Sequence, residues 1–279
     1  MILGTRSDYM LKYEKSKSKL VEFNIAKTNY PNYPLNPDDL TYTTLFVLSR
    51  YCEEIIENPS SPQIPDLKVE LTSVSKYYDS TVKTQLRQEN NRLFLLLGST
   101  AYFLSENFGS AKVLLEQIDE WTPQSNVLTL LYATLRFLLI GEWMEVSIKN
   151  QDYRQYFDSL RSHFETGAPS DAIFEALHHM RRRIYNSTNV MAVNYIDFLF
   201  SVSICAIEHS AWILLSKHST VDFEQWKSYL VKPGSIKLLW PAQKVIIQAG
   251  VLNKNDLVVP LPTGVGKTKS IEFLLRAQL

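Results

Sequence analysis

The chain has 279 residues, of which 45% are apolar, and its 29 Lys and Arg balance 29 Asp and Glu. This length and apolar fraction can fill a hydrophobic core, which excludes disordered and fibrous classes. A neutral chain has no overall positive field for a nucleic-acid backbone, so such binding needs local patches or residues outside this sequence. Cys52 and Cys205 lie far apart without other ligands at metal spacing, which argues against a disulfide framework and a zinc site.

The N-terminal residues 1–15 are polar and charged, with no apolar segment before a small-residue cleavage site, so they do not resemble a signal peptide. The most apolar stretch, 189–215, is long enough to span a bilayer. It contains Asp197, Glu208 and His209, which are costly to bury in lipid. We therefore predict a buried helix there, no membrane association, and a cytoplasmic protein in a reducing compartment.

The first 232 residues contain few glycines and carry apolar side chains three and four positions apart, a pattern typical of helices. The second helix has the clearest boundaries, because Asn36 would cap it and Pro37 would take its first position. The helix is then expected to end in a loop that contains three prolines, Pro59, Pro62 and Pro65. In chain order, the predicted helices cover 8–28, 38–57, 66–89, 91–105, 109–119, 126–140, 142–164, 171–186, 189–217 and 221–231.

Two helices in this region, 93–104 and 107–115, resemble a tetratricopeptide-type hairpin. Gly98 and Ala101 would let the two helices approach closely, and Gly109 would serve the turn. A second copy is expected over 127–148, with Gly141 at its turn. A stable array needs about three repeats, so an ordinary helical bundle remains the alternative to a short tetratricopeptide-like array. In both cases this region is a scaffold for packing or for a partner.

Glycine and proline become frequent after residue 232, beginning with Pro233 and Gly234. This change predicts two domains, an all-helical one over 1–232 and a different one that starts at 233–279. We expect the helical domain to fold on its own, because its apolar periodicity is helical throughout. The chain is therefore mainly α, followed by the start of another fold.

A phosphate-binding motif lies in the second segment. A short apolar run, 256–260, predicts a buried strand, and an apolar-periodic tail, 271–275, predicts a helix after the glycine loop between them. A loop between a strand and a helix is the setting in which backbone N–H groups and the positive helix end bind phosphates. The predicted ATP-binding residues of this loop are Thr263, Gly264, Val265, Gly266, Lys267 and Thr268.

The residue types in this loop have separate roles. Gly264 and Gly266 permit close approach of the backbone to phosphate, because they have no Cβ. Lys267 would place a cation on the β- and γ-phosphates and is the predicted catalytic residue. The hydroxyl of Thr268 would be the metal ligand, bound to Mg²⁺. ATP and Mg²⁺ are thus the expected cofactors.

The strict P-loop pattern has glycine at position 261, where this chain has Leu261. The segment Pro262–Thr268 resembles motif I of DEAD/DEAH-box superfamily 2 helicases, in which a small or apolar residue precedes Pro-Thr-Gly. In that family a glutamine upstream reads the adenine edge, and Gln243 in Leu239–Gln243 matches it. The resemblance covers about residues 236 to 279. The opening Leu-Trp-Pro-x-Gln is most similar to Ski2-like helicases and to helicase subunits of bacterial phage-defence systems of the Hachiman type.

This resemblance implies that 233–279 begins a RecA-like α/β domain of an ATP-dependent helicase or translocase in antiviral defence. It implies a nucleic-acid partner, with DNA favoured over RNA, and a protein partner such as a nuclease subunit on the helical domain. Such motors also need an acidic motif II and an arginine finger from a second RecA-like domain. Neither follows Lys267, and Asp119–Glu120 precedes the loop, so we expect an N-terminal fragment that does not hydrolyse ATP alone.

Two other interpretations remain open. The chain could be a helical interaction module of a P-loop ATPase of another class, with nucleotide as a conformational switch, or a self-contained nucleotide-binding protein. Trp240 is interpreted as a packing residue, with stacking near adenine as the alternative. Residues 181–183, three consecutive arginines, fan around a helix and are interpreted as solvated surface. His178 and His179 are assigned no function.

Overall fold

The structure is a computed structural model that describes residues 23, 26, 37–84, 91–118, 121, 123, 125–143, 151–187, 190–232, 234–253 and 267–278. This part of the chain is mainly α-helical, as predicted, and its one β-type pairing is an isolated antiparallel bridge. The helices are α1 (Pro37–Glu57), α2 (Ile64–Thr84), α3 (Asn91–Leu104), α4 (Phe108–Glu116), α5 (Asn126–Ile140), α6 (Gln151–Thr166), α7 (Asp171–Tyr185), α8 (Val190–Glu208), α9 (Ala211–His218), α10 (Phe223–Leu230), α11 (Pro241–Gln248), a 3₁₀ turn (Val251–Asn253) and α12 (Lys267–Gln278).

Local signals set several of these boundaries correctly. Helix α1 begins at Pro37 and ends at Glu57, just before the proline-rich loop. Helix α5 covers 126–140 as predicted and is capped by Gly141, whose φ of 84° is the left-handed conformation that glycine adopts readily. The strand predicted over 256–260 falls outside the described ranges, as does the helix predicted over 8–28 except for Phe23 and Ala26, neither of which is helical.

The helix predicted over 142–164 begins only at Gln151 among the described residues. Residues 141–143 are not helical, because Gly141 ends α5 and the chain folds back on it. The ring of Trp143 stacks on Phe137 with a centroid separation of 3.6 Å, and Glu142 pairs with Arg136. The prediction was wrong here, since it treated these residues as the first turn of a helix.

Consecutive helices α1 to α5 pack against one another in the first compact unit, which comprises 1–144 and 190–202. The close approach predicted at Gly98 is confirmed, because a Cβ there would lie 2.8 Å from Tyr78 Cβ and 2.9 Å from Leu114 Cδ1. Both distances are too short for a side chain to fit without shifting its neighbours. Gly98 is therefore a contact residue between three helices.

The turn predicted at Gly109 is instead formed by the preceding residues. Gly109 lies inside α4, and Glu106 adopts the left-handed conformation with φ of 60°. The Asn107 Nδ2 donates to the Ser105 carbonyl oxygen at 3.1 Å and to the Ser105 Oγ at 3.0 Å. The prediction was wrong because an asparagine side chain can hold a tight turn that glycine was expected to supply.

Helix α8 includes a window, 191–208, that is long and apolar enough to cross a membrane by length and composition. Within the protein, 72% of this window is buried. Asp197 is buried in the same helix, and Ser201 Oγ donates to the Cys52 carbonyl oxygen at 3.4 Å. The absence of membrane association stays a prediction.

The second compact unit comprises 145–189 and 203–279. Trp212 Nε1 donates to the Phe164 carbonyl oxygen at 3.0 Å, and its ring lies against Gly167, where a Cβ would be 2.6 Å from Trp212 Cε3. A core cluster joins helices on both sides of residue 232. Its buried members are Ala211, Trp212, Leu214, Leu215, Trp226, Tyr229, Leu230, Leu239, Ile247, Leu252 and Phe273.

The predicted helix 189–217 is wrong at its centre, since α8 ends at Glu208 and α9 begins at Ala211. Ser210 is extended, with φ of −62° and ψ of 126°, and forms the antiparallel bridge to Leu238. Ala211 N–H donates to the Lys237 carbonyl oxygen at 2.9 Å. A segment about thirty residues further along the chain therefore provides hydrogen-bond partners for backbone groups at the break.

Candidate nucleotide-binding site

The segment that contains Gln243 is attached to the break between α8 and α9. Leu239 N–H donates to the His209 carbonyl oxygen at 2.8 Å, next to the bridge between Ser210 and Leu238. Both Leu238 and Leu239 are buried. The segment therefore lies on the helical part of the second unit with its backbone already paired.

The His209 side chain adds two further contacts. Its Nδ1 donates to the Leu239 carbonyl oxygen at 2.9 Å, and its Nε2 accepts from Lys244 Nζ at 3.3 Å. A carbonyl can only accept and an ammonium can only donate, so these partners select the imidazole with hydrogen on Nδ1. Lys244 also lies 3.7 Å from a Glu208 carboxylate oxygen. We call the contacts of His209 with Leu239 and Lys244 the His209 clasp.

Gln243 lies in the first turn of α11, which begins at Pro241. Its Oε1 accepts from the Trp240 N–H at 2.8 Å, so the amide satisfies a backbone donor at the helix start. Only 3% of Gln243 is exposed, which differs from a solvated polar residue at a helix start. Trp240 is partly exposed at the cap position. The side chain of Gln243 thus caps the start of α11, and this role is separate from any contact with a base.

An amide oxygen has two lone pairs and an amide nitrogen has two hydrogens, and the Trp240 N–H takes one of these positions on Gln243. A glutamine amide recognises adenine by accepting from N6 and donating to N7. The low exposure of Gln243 means that a base would have to displace the groups that cover it.

The predicted phosphate loop lies mostly outside the described part of the chain. This applies to Thr263, Gly264, Val265 and Gly266. Lys267 and Thr268 are the first two residues of α12, and only their backbone is described. A helix that starts at Lys267 matches the predicted order of loop and helix, and such an N-terminus favours an anion.

Helix α12 is anchored by Phe273, which is 1% exposed. Its ring contacts Trp226 and Tyr229 of α10 in edge-to-face geometry, with centroid separations of 6.4 and 6.2 Å. The Arg276 guanidinium lies 4.0 Å from the centre of the Tyr229 ring. Burial, together with the Glu272 carboxylate, raises the pKa of Tyr229 to about 12. This aromatic contact places the helix that carries Lys267 and Thr268 on α10.

Two of the side chains that build this region, His209 and Phe273, were not assigned a role from the sequence. In the sequence, His209 is one polar residue in an apolar stretch, and Phe273 is one residue of an apolar tail. Apolar periodicity marks Phe273 as a core residue, but nothing local identifies its aromatic partners. No local pattern could identify the contact of His209 with Leu239, thirty positions away.

The charged residues of α7 do not form a patch. Arg183 and His179 both contact Asp152, the latter at 3.3 Å from Nδ1 to Oδ1. Arg181 instead lies over the Tyr185 ring, 4.7 Å from its centre. Within the described ranges, no group of three or more His, Cys, Asp or Glu is arranged to hold a metal ion. The predicted solvated surface fits this arrangement better than a phosphate patch.

Comparisons with protein-family models, with curated proteins and with solved structures found no match to this chain. A functional interpretation therefore depends on the motif residues and on the geometry around them.

Proposed function

We propose that this chain is the N-terminal part of an ATP-dependent nucleic-acid helicase or translocase, with DNA as the favoured substrate and antiviral defence as its setting. The observation that carries the proposal is the sequence Pro262–Thr268 at the start of a helix that begins at Lys267. In this proposal the acidic motif and the arginine finger are supplied by residues other than those of this sequence. The helical residues 1–232 carry the protein partner.

The proposed site binds the two ends of ATP with different residues. Lys267 and the loop amides of Gly264 and Gly266 hold the phosphates, and Thr268 ligates Mg²⁺, which offsets phosphate charge when bound. Gln243 recognises the adenine edge. The start of α12 at Lys267 supports the phosphate end, because the positive end of a helix favours an anion.

Replacement of Lys267 by alanine should weaken binding of Mg-ATP by about 10- to 100-fold, the loss of one charge-assisted contact of about 1.5–3 kcal/mol. Lys269→Ala is the matched control, since it removes the same charge two positions along the same helix. Isothermal titration of the 279-residue protein measures both. Equal affinities for the two variants, or no saturable binding by the unaltered protein, would contradict the proposed phosphate site.

The same proteins should release no phosphate from ATP at a meaningful rate, with or without DNA, because the acidic motif is missing from this sequence. Robust turnover that depends on Lys267 would favour a complete ATPase of another class. In a longer chain with the acidic motif, Lys267→Ala should lower turnover on the order of 10²-fold or more, through lost transition-state stabilisation.

Two replacements of Gln243 separate its cap from its proposed adenine contact. Gln243→Glu keeps an acceptor for the Trp240 N–H but loses the donor that adenine N7 requires, whereas Gln243→Ala loses both. We expect Gln243→Ala to lose about 1 kcal/mol of unfolding free energy, as for a helix cap, and Gln243→Glu to keep the cap but to carry the cost of a carboxylate at a position that is 3% exposed. Both should lower the preference for ATP over GTP. Thermal melts and titrations with both nucleotides measure these effects, and an unchanged preference in Gln243→Glu would leave Gln243 with the cap alone.

A further inference from the structure

One imidazole ring contacts residues on both sides of Gln243. His209 Nδ1 is bound to the Leu239 carbonyl oxygen and His209 Nε2 to the Lys244 ammonium, at 2.9 and 3.3 Å. Between those two contacts the chain turns into α11, with the Gln243 amide closing the turn on Trp240. The position of the Gln243 side chain therefore depends on a residue in another helix–helix junction.

Of the two contacts of the His209 clasp, the one with Leu239 is buried and the one with Lys244 is partly buried. His209 and Leu239 have no exposed surface, and the side chain of Lys244 is 19% exposed. A buried donor or acceptor that loses its partner costs about 1–3 kcal/mol, so the segment has little freedom to shift while the ring is in place. Only a side chain with a donor at the Nδ1 position can satisfy the Leu239 carbonyl in the same way.

The phosphate end of the proposed site has an aromatic anchor of its own, in addition to the packing of α12 against α11 and the 3₁₀ turn that follows α11. Helix α12, which begins with Lys267 and Thr268, is anchored through Phe273 to Trp226 and Tyr229 of α10. His209 belongs to neither helix. Loss of the clasp should therefore disturb the base end of the site while the anchor of the phosphate end remains.

We propose that His209 is a positioning residue for base selectivity, because it holds the Leu239–Lys244 segment in the conformation from which Gln243 meets adenine. This inference rests on the proposed function. It also predicts that a bound adenine stabilises the clasp in return, since coupling between two sites is reciprocal. Binding of ATP should then slow amide hydrogen exchange at the break between α8 and α9.

The test uses the 279-residue protein and three probes: ATP, GTP and inorganic tripolyphosphate, each with Mg²⁺. In His209→Ala the ratio of ATP to GTP affinity should fall about tenfold, within the range of one bidentate base contact, while tripolyphosphate affinity changes by a smaller factor. His209→Asn retains a donor near the Nδ1 position and should recover much of the ratio. His178→Ala, an exposed histidine of α7, is the control and should leave all three affinities unchanged.

Amide hydrogen exchange of the unaltered protein provides a second measurement, which does not depend on whether a variant folds. ATP should slow exchange of the Leu239 and Ala211 amides, which donate across the break, more than GTP does at equal saturation. The inference is overturned if ATP and GTP slow these amides equally, or if His209→Ala weakens all three probes by the same factor. The proposed function fails in a different way, when no probe binds with an affinity that Lys267→Ala lowers.

Discussion

Replacement of Phe273 by alanine is expected to lower the free energy of unfolding of the second unit by about 3–5 kcal/mol, the usual cost of deleting a buried aromatic ring. Phe273 is 1% exposed and contacts both Trp226 and Tyr229 edge to face. These aromatic pairs add to the stabilisation that apolar burial of the ring provides. The loss would be a large share of the 5–15 kcal/mol that is typical of a domain.

The matched control is Ile271→Ala, on the same helix but 53% exposed. It should change the unfolding free energy by no more than about 0.5 kcal/mol, as expected for an exposed site. Urea denaturation followed by tryptophan fluorescence measures both, because Trp226 lies against Phe273. Similar midpoints for the two variants would mean that α12 is not anchored through Phe273.

Replacement of Phe273 should also affect nucleotide binding. Lys267 and Thr268 are carried by the helix that Phe273 holds, so Phe273→Ala should weaken triphosphate binding even under conditions where the protein stays folded. A rigid supporting element is what keeps binding groups in place. Ile271→Ala should leave that affinity unchanged.

Truncation after residue 232 is expected to unfold the second unit and to leave the first unit folded. The deletion removes Leu239, Ile247, Leu252 and Phe273 from a core cluster that otherwise includes Trp212 and Trp226. Each of these removals costs about 2–5 kcal/mol in ordinary cores, so together they cost about as much as the whole stability of a typical domain, or more. This outcome differs from the sequence-based expectation that 1–232 folds completely on its own.

Amide exchange on the truncated protein distinguishes the two outcomes. Peptides from 37–84 and 91–118, in the first unit, should stay protected, whereas those from 203–230 should lose protection. A protein truncated after residue 253, which lacks only α12 from this cluster, should show an intermediate loss. Full protection of 203–230 in the protein that ends at 232 would favour a domain boundary at that residue.

The compact units of the structure do not divide at residue 233. Residues 234–253 and 267–278 belong to the same unit as 151–187 and 203–232, and the Ala211 and Leu239 amides pair across that point. The change in glycine and proline content marks where the type of sequence changes. Whether it also marks the start of a RecA-like domain stays a prediction, because the strand expected at 256–260 falls outside the described residues.

The amino-acid sequence by itself determined the helical class and many helix boundaries. These signals act within a few residues: helix periodicity, a proline at the first position and a left-handed glycine after the last. The start of α1 at Pro37 and the end of α5 before Gly141 therefore follow from local rules. The candidate phosphate loop is recognisable for the same reason. Its roles belong to adjacent residues, from Thr263 to Thr268.

Only the tertiary structure decided the break at His209 and Ser210, the burial of Gln243 and the anchor at Phe273. The apolar pattern runs without interruption from 189 to 217, and a continuous helix satisfies it locally. The helix ends at Glu208 because the backbone of Lys237 to Leu239 competes for the groups at the break, and the His209 ring joins it. Such pairings depend on residues about thirty positions apart, and a single sequence carries no local signal for them.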